Sequence, residues 1–272
     1  MLRILVLVMC GVWSLISFAA ERESPTVVRF AAGTVTPWVY KGESGSEQGL
    51  LIEFSRSLAS YTGIAYTNIL QPYPRALQSL KSGYVDFAVA FESPSVAKTA
   101  ILVGGVSRSQ VLMVARQGEA SQYQPPLRGG LRLGYIRGSD YDLTRRDRKS
   151  LNLFPVNNME QGLEMLLKKR IDIMVGTEDA FEWALRDMQL GAEQLELVRV
   201  LGETRVGLYM SRQSSNQGLL KVYQQALQDM KKDGELERIF ESRHQWVIDA
   251  LTSKPAQEFI KSRQEIRSKR AL

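Results

Sequence analysis

The chain has 272 residues, 44% of them hydrophobic and 24% charged, enough for one large domain or two ordinary ones with real cores. That balance excludes a disordered, collagen-like or disulfide-stapled chain. The formal net charge is +6 and most of it sits in the last nineteen residues, so the body is nearly neutral and is not built around a nucleic-acid backbone.

The first segment reads as a secretory signal. Arg3 supplies an early positive charge, an apolar run extends from Ile4 to Ile16, and Ser17-Phe18-Ala19-Ala20 precedes the charged Glu21-Arg22-Glu23. The run is shorter than the roughly 20 residues that cross a bilayer. Ser17 and Ala19 satisfy the small-x-small requirement, which predicts a signal over residues 1–19 and cleavage after Ala19. The single cysteine, Cys10, lies inside it, so the mature chain lacks disulfides, thiolate nucleophiles and thiolate metal ligands. His244 is the one histidine, which excludes a histidine-based triad or a multi-histidine zinc site, and no metal is expected.

From Val27 onward short apolar strands alternate with amphipathic helices. Val27 to Ala32 predicts a strand; Leu50, Leu51, Phe54 and Leu58 recur at helical spacing and Gly63 closes that helix. Ile64 to Leu70 predicts a second strand, Pro74 starts a second helix that Gly83 ends, and Val85 to Phe91 predicts a third, buried strand. After a Gly- and Pro-bearing linker over 117–130 the pattern restarts. Strands are predicted at Leu131–Ile136, Leu151–Val156, Ile171–Val175 and Leu195–Leu201. Between them lie a helix capped by Asn158 and another holding Phe181, Trp183 and Leu185. Parallel strands joined by helices imply α/β architecture with two doubly wound units facing across a crevice.

Four stretches then carry a family resemblance. Pro37-Trp38-Val39-Tyr40 followed by Gly49 to Phe54, the run from Tyr73 to Asp86 with Leu80-Lys81-Ser82-Gly83 inside it, Lys169-Arg170-Ile171-Asp172, and Leu219 to Phe240 with Asp233-Gly234 resemble segments of the family-3 extracellular solute-binding proteins, in the same order. The resemblance runs from Val27 to Trp246. It implies a two-lobe periplasmic-binding-protein fold, each lobe a mostly parallel sheet, joined by crossing strands near Gln110–Ala115 and Glu203–Met210. Lobe 1 is expected at 20–112 plus 205–246, the inserted lobe 2 at 113–204, and a basic, solvated tail at 247–272. Lys254, Lys261, Arg263, Arg267, Lys269 and Arg270 give that tail its charge.

The same resemblance implies ligand positions. Lys98, twelve residues after Asp86, stands where the family has the arginine that grips a ligand carboxylate; a lysine keeps the charge without the bidentate fork. Thr177 stands where the family's second lobe carries an aspartate for the ligand amino group, with Glu178 and Asp179 beside it. Val35 replaces a common stacking aromatic. Trp38, Tyr73, Phe91 and Ser93 fall on cleft-lining stretches, and Ser139 lies on the turn Arg137-Gly138-Ser139-Asp140, whose backbone N–H groups can receive an anion. Arg75 could present a second cation at the same rim.

The implied role is capture of a small polar, amino-acid-like solute by lobe closure in the periplasm, as a monomer without a cofactor. The partners would be the permease subunits of an inner-membrane ABC transporter. Two alternatives come from other classes: a dehydratase- or lyase-like cleft enzyme with Glu92 as general acid, and a sensor module reporting to a membrane partner. The export reading is tested directly. N-terminal sequencing of the protein from fractionated cells is expected to begin at Ala20; a membrane-bound chain that retains Met1 would contradict it.

Overall fold

The computed structural model describes residues 26–42, 44–123, 127, 129–139, 141, 143, 149–240 and 251. The signal segment, Asp140, His244 and, apart from Leu251, the basic tail lie outside the described residues.

Strand β1 (Val27–Gly33) turns Val28, Phe30 and Ala32 to one core and Ala31 to the core on its other face, the two-residue period of a strand covered on both sides. A small hairpin, β2 (Tyr40–Lys41) and β3 (Glu47–Gln48), leads into helix α1 (Leu50–Thr62). Helix α1 ends at Gly63 and α2 (Tyr73–Ser82) at Gly83, with φ of 68° and 74°. That left-handed turn is cheap only for glycine. Strands β4 (Ala65–Gln71) and β5 (Phe87–Phe91) flank β1 in parallel. Leu51, Phe54 and Leu58 of α1 cover one face of this sheet, while Ala76 and Leu80 of α2 cover the other.

The second lobe repeats the plan. Strands β7 (Arg132–Ile136), β8 (Asn152–Val156) and β9 (Ile173–Thr177) are parallel neighbours, with α4 (Met159–Leu167) between β8 and β9 and α5 (Glu178–Asp187) after β9. Asn158 caps α4 as predicted: its side chain accepts from Gln161 N at 2.9 Å, and Gln161 Oε1 accepts from Asn157 N at 2.8 Å.

Two strands of seventeen residues, β6 (Ala100–Arg116) and β10 (Leu195–Ser211), connect the lobes. A short helix, α3 (Pro94–Thr99), leads into β6, and α6 (Leu220–Lys232) and α7 (Glu235–Phe240) follow β10. The two long strands pair antiparallel from Leu195↔Arg116 to Ser211↔Ala100. The result is one eight-stranded sheet in the order β4-β1-β5-β10-β6-β9-β7-β8. Val103 and Val106 belong to the first core and Val111 to Ala115 to the second, so β6 changes lobe within a few residues. The strands that carry the crossings are much longer than the two segments expected from sequence. Burial along the first part of β6 recurs every third residue, at Ala100, Val103, Val106 and Ser109, and β10 carries register shifts. A twisted, bulged strand loses the alternation that reveals strands in sequence.

Two further differences are local. The third strand begins at Phe87, because Val85 and Asp86 form the turn before it. Leu251, expected in a solvated tail, is buried in the second core.

Each lobe is fastened at the same place by the same device. Arg29 N on β1 donates to Asp86 Oδ2 at 2.8 Å while Asp86 N donates to Arg29 O at 2.9 Å. In the second lobe Arg132 N donates to Asp172 Oδ2, and Asp172 N to Arg132 O, both at 2.8 Å. Asp86, fully buried, also accepts from Ser214 Oγ at 2.7 Å and Asn216 Nδ2 at 3.1 Å. Burial opposes ionisation of Asp172, but hydrogen bonds from the Arg132 side chain and backbone outweigh it and hold the carboxyl below its ordinary pKa. The folded state therefore binds fewer protons than the unfolded chain. This stability is complete above the unfolded value of about 4 and is lost as pH falls through the lower folded value. Asp172→Asn is expected to lower stability at pH 7 by about 1–3 kcal/mol. It should also flatten the dependence of unfolding free energy on pH below about 4, as read by urea titrations at stepped pH.

Candidate functional site

The carboxyl ends of β1, β5, β7 and β9 face one another across the lobes, where open α/β sheets place ligands. Their loops enclose two adjoining chambers. The first, about 60 Å3, is lined by Tyr73, Phe91, Glu92, Ser93, Tyr141 and the β10 segment Leu201–Thr204, among others. The second, about 30 Å3, is lined largely by apolar groups, including Val35, Trp38, Leu51 and Ile136, together with Ser139 and Thr177. Tyr73, Phe91 and Tyr141 belong to both, forming an aromatic partition.

The partition is held from both sides. Tyr73 and Phe91 meet edge to face at 6.1 Å, Trp38 and Phe91 at 5.9 Å, and Phe91 lies 6.4 Å from Tyr141 of the other lobe. Phe91 N donates to the Tyr73 hydroxyl at 3.3 Å. Burial pushes the Tyr73 pKa up to about 12, and burial likewise raises that of Tyr141, which shares a hydrogen bond with Ser139. Both phenols are neutral hydrogen-bonding groups at any physiological pH.

Six of the eight residues singled out from sequence line these chambers: Trp38, Tyr73, Phe91, Ser93, Ser139 and Thr177. Ser93 is also committed to capping α3, accepting from Val96 N at 3.3 Å. Thr177 is 1% exposed and sits at the start of α5. Arg75 and Lys98 are exposed on α2 and α3, and neither is among the lining residues described. The structure thus does not bring the two expected cations to the cavity.

Sequence reasoning missed Tyr141, Glu203 and an aromatic pair between the lobes. Tyr141 has φ of 52°, a left-handed backbone that costs a non-glycine residue of order 1 kcal/mol or more. Gly138, at φ 89°, lets the second lobe approach Pro74: a Cβ there would lie 3.0 Å from Pro74 Cγ. Tyr40 of the β2–β3 hairpin packs on Trp183 of α5 with ring centroids 4.7 Å apart, so the lobes touch through aromatic surface.

A wider groove of about 360 Å3 runs between the lobes past Tyr40, Glu53, Arg56, Trp183 and Arg238. Several of its charges pair with one another, Arg238 with Glu53 at 2.6 Å and Arg186 with Glu182 at 2.9 Å. Among the described residues no group of His, Cys, Asp and Glu could hold a metal ion. No helix among them is long and apolar enough to cross a membrane.

Comparison with known proteins fits this geometry. The family model described as bacterial extracellular solute-binding proteins, family 3, matches residues 28–245. The chain belongs to that family. A search of curated sequences returned no match. Solved structures share the fold at low identity. The ligand-binding core of GluR0 from Nostoc punctiforme, in complex with (L)-glutamate, aligns with TM-score 0.66 and 19% identity over 79% of this chain and 97% of that one. A histidine kinase sensor domain with similarity to periplasmic binding proteins gives 0.65 and 21% over 79% and 93%. The ancestral amino acid-binding protein AncCDT-1, a precursor of cyclohexadienyl dehydratase, gives 0.66 and 14% over 80% and 96%.

In this family-3 chain the Tyr40–Trp183 contact is the simplest handle on closure. An aromatic pair contributes about 0.5–1.5 kcal/mol beyond its buried area. Trp183→Ala is expected to shift the lobes toward an open form about two- to tenfold, read as a larger radius of gyration in small-angle scattering or a lower energy transfer between dyes on the two lobes.

Proposed function

We propose that this protein captures a small polar, amino-acid-like solute between its lobes in the periplasm and delivers it, closed, to the permease of an inner-membrane ABC transporter. The observation that carries the reading is the cavity itself: strand-end loops of both lobes line it, and two continuous strands join the lobes behind it. A ligand touching both lobes stabilises the closed form by its differential affinity, which is a two-state equilibrium shifted by binding. The family description supports solute binding, and the GluR0 core and AncCDT-1 are described as binding amino acids.

Binding fits the cavity better than turnover. Its described carboxylates are Glu92 and Glu203, and Glu203 is ion-paired with Arg108 at 3.4 Å. That leaves Glu92 without a matched acid–base partner among the described lining residues.

A thermal-shift screen of the exported protein against amino acids, amines and organic acids tests the reading. A solute at 100 times its dissociation constant is expected to add roughly 2.7 kcal/mol of stability, and small-angle scattering should show a smaller radius of gyration. The solute should be recovered unchanged. Identical scattering curves with saturating solute would contradict capture by closure, and a transformed solute would assign an enzyme. Co-purification with a sensor kinase in place of a permease would redirect delivery to signalling.

A further inference from the structure

We propose that the solute recognised in this cleft is an amine cation for which a carboxylate is not required: an alkyl- or arylalkylamine whose ammonium lies between Glu92 and the rings of Tyr73, Phe91 and Tyr141. The proposal rests on reading the cavity as the solute site.

Charge comes first. The charged residues that line the larger chamber, among those described, are Glu92 and Glu203, both negative, and those described around the smaller chamber carry no charge. Glu203 is engaged by Arg108 across the crossing strands. Glu92 makes no ion pair among the described residues and sits exposed at the rim, its backbone fixed by a 2.8 Å hydrogen bond from its N–H to Arg205 O.

Rings come second. Tyr73, Phe91 and Tyr141 present aromatic surface beside this carboxylate, and the negative face of a ring attracts a cation. An ammonium gains from the acid and from the rings together. A carboxylate entering the same chamber would meet Glu92 and Glu203, while Arg75 and Lys98 stand outside the described lining. The adjoining chamber, with Val35, Trp38, Leu51 and Ile136, supplies apolar surface for the body of the molecule. The two chambers together describe an ammonium on an apolar frame.

Titration calorimetry on the exported protein with matched pairs decides the matter: isoamylamine against leucine, phenethylamine against phenylalanine, with glutamate as the anionic probe. In each pair the amine is expected to bind at least tenfold tighter. Glu92→Gln is expected to weaken amine binding at least tenfold while leaving the unliganded melting temperature where it was. Amino acids that bind while their amines do not, amine affinity unchanged in Glu92→Gln, or glutamate binding that disappears in Lys98→Ala would each overturn the proposal and leave solute capture standing. If amines, amino acids and glutamate all fail to bind, the proposal falls. If the broader screen also finds no solute that contracts the protein, the solute-site reading falls with it.

Discussion

The pairing of β6 with β10 through both lobes is the constraint on which the rest of the structure depends. Because the two strands stay hydrogen-bonded from Leu195↔Arg116 to Ser211↔Ala100, the lobes are halves of one sheet. β10 lies on β5 in the first lobe, and β6 on β9 in the second. Relative motion of the lobes must therefore bend or twist this ribbon where neither neighbour grips it, between the β6–β9 pairing that starts at Val111 and the β10–β5 pairing that starts at Val206. Register shifts flank this stretch, between Val200 and Gly202 and between Val206 and Gly207, and Gly202, at φ 157°, stands at its edge. Bulges and an unhindered glycine are where a strand pair yields most easily. The hinge adjoins the site as well: Leu201 to Thr204 line the larger chamber, so bending the ribbon moves one wall of the cavity.

Within each lobe the stiffness comes from a repeated fastening, Arg29 with Asp86 and Arg132 with Asp172, at the amino ends of the parallel strands. The chemistry sits at the opposite, carboxyl ends. This division follows from the architecture, since strand ends tied by buried carboxylates are fixed in position while the loops beyond the other ends are free to differ in sequence. It explains how Asp86 can be fully buried and saturated with hydrogen bonds while Glu92, six residues later across β5, stands exposed at the cavity rim.

Much of this was legible in the sequence because it depends on local pattern. Gly63 and Gly83 end their helices, Asn158 caps α4, and the parallel strands read as short apolar runs. The aromatic and hydroxyl residues singled out in the strand-end loops, from Trp38 to Thr177, come together in the chamber walls. What escaped depends on long-range geometry. The three-residue burial period of β6 has no local template. The Tyr40–Trp183 contact joins residues 143 positions apart. Tyr141 adopts a backbone conformation that its residue type alone disfavours. Arg75 and Lys98, expected at the rim, the latter from the resemblance, are exposed on α2 and α3 and are not among the described lining residues.

The forces that hold the lobes internally differ from those that join them. The ion pairs described above, Arg29–Asp86, Arg132–Asp172, Arg238–Glu53 and Arg186–Glu182, each lie within one lobe, and Arg108–Glu203 spans the crossing strands. Contacts between the lobes include aromatic and backbone-close ones, Tyr40 on Trp183, Phe91 near Tyr141 and Pro74 against Gly138, beside the polar bonds of Ser109 and Gln110 on β6 to Asp179 and Glu178. Exposed ion pairs are weakened by salt, whereas apolar contact is not. The aromatic share of the contact between the lobes is a term that salt leaves largely unchanged, and in the proposed capture Glu92 is left to act on the solute. Affinity then divides into two parts. The aromatic contacts set how much of the protein is closed before anything binds, and the cavity's polar groups set how strongly a given solute favours that closed form.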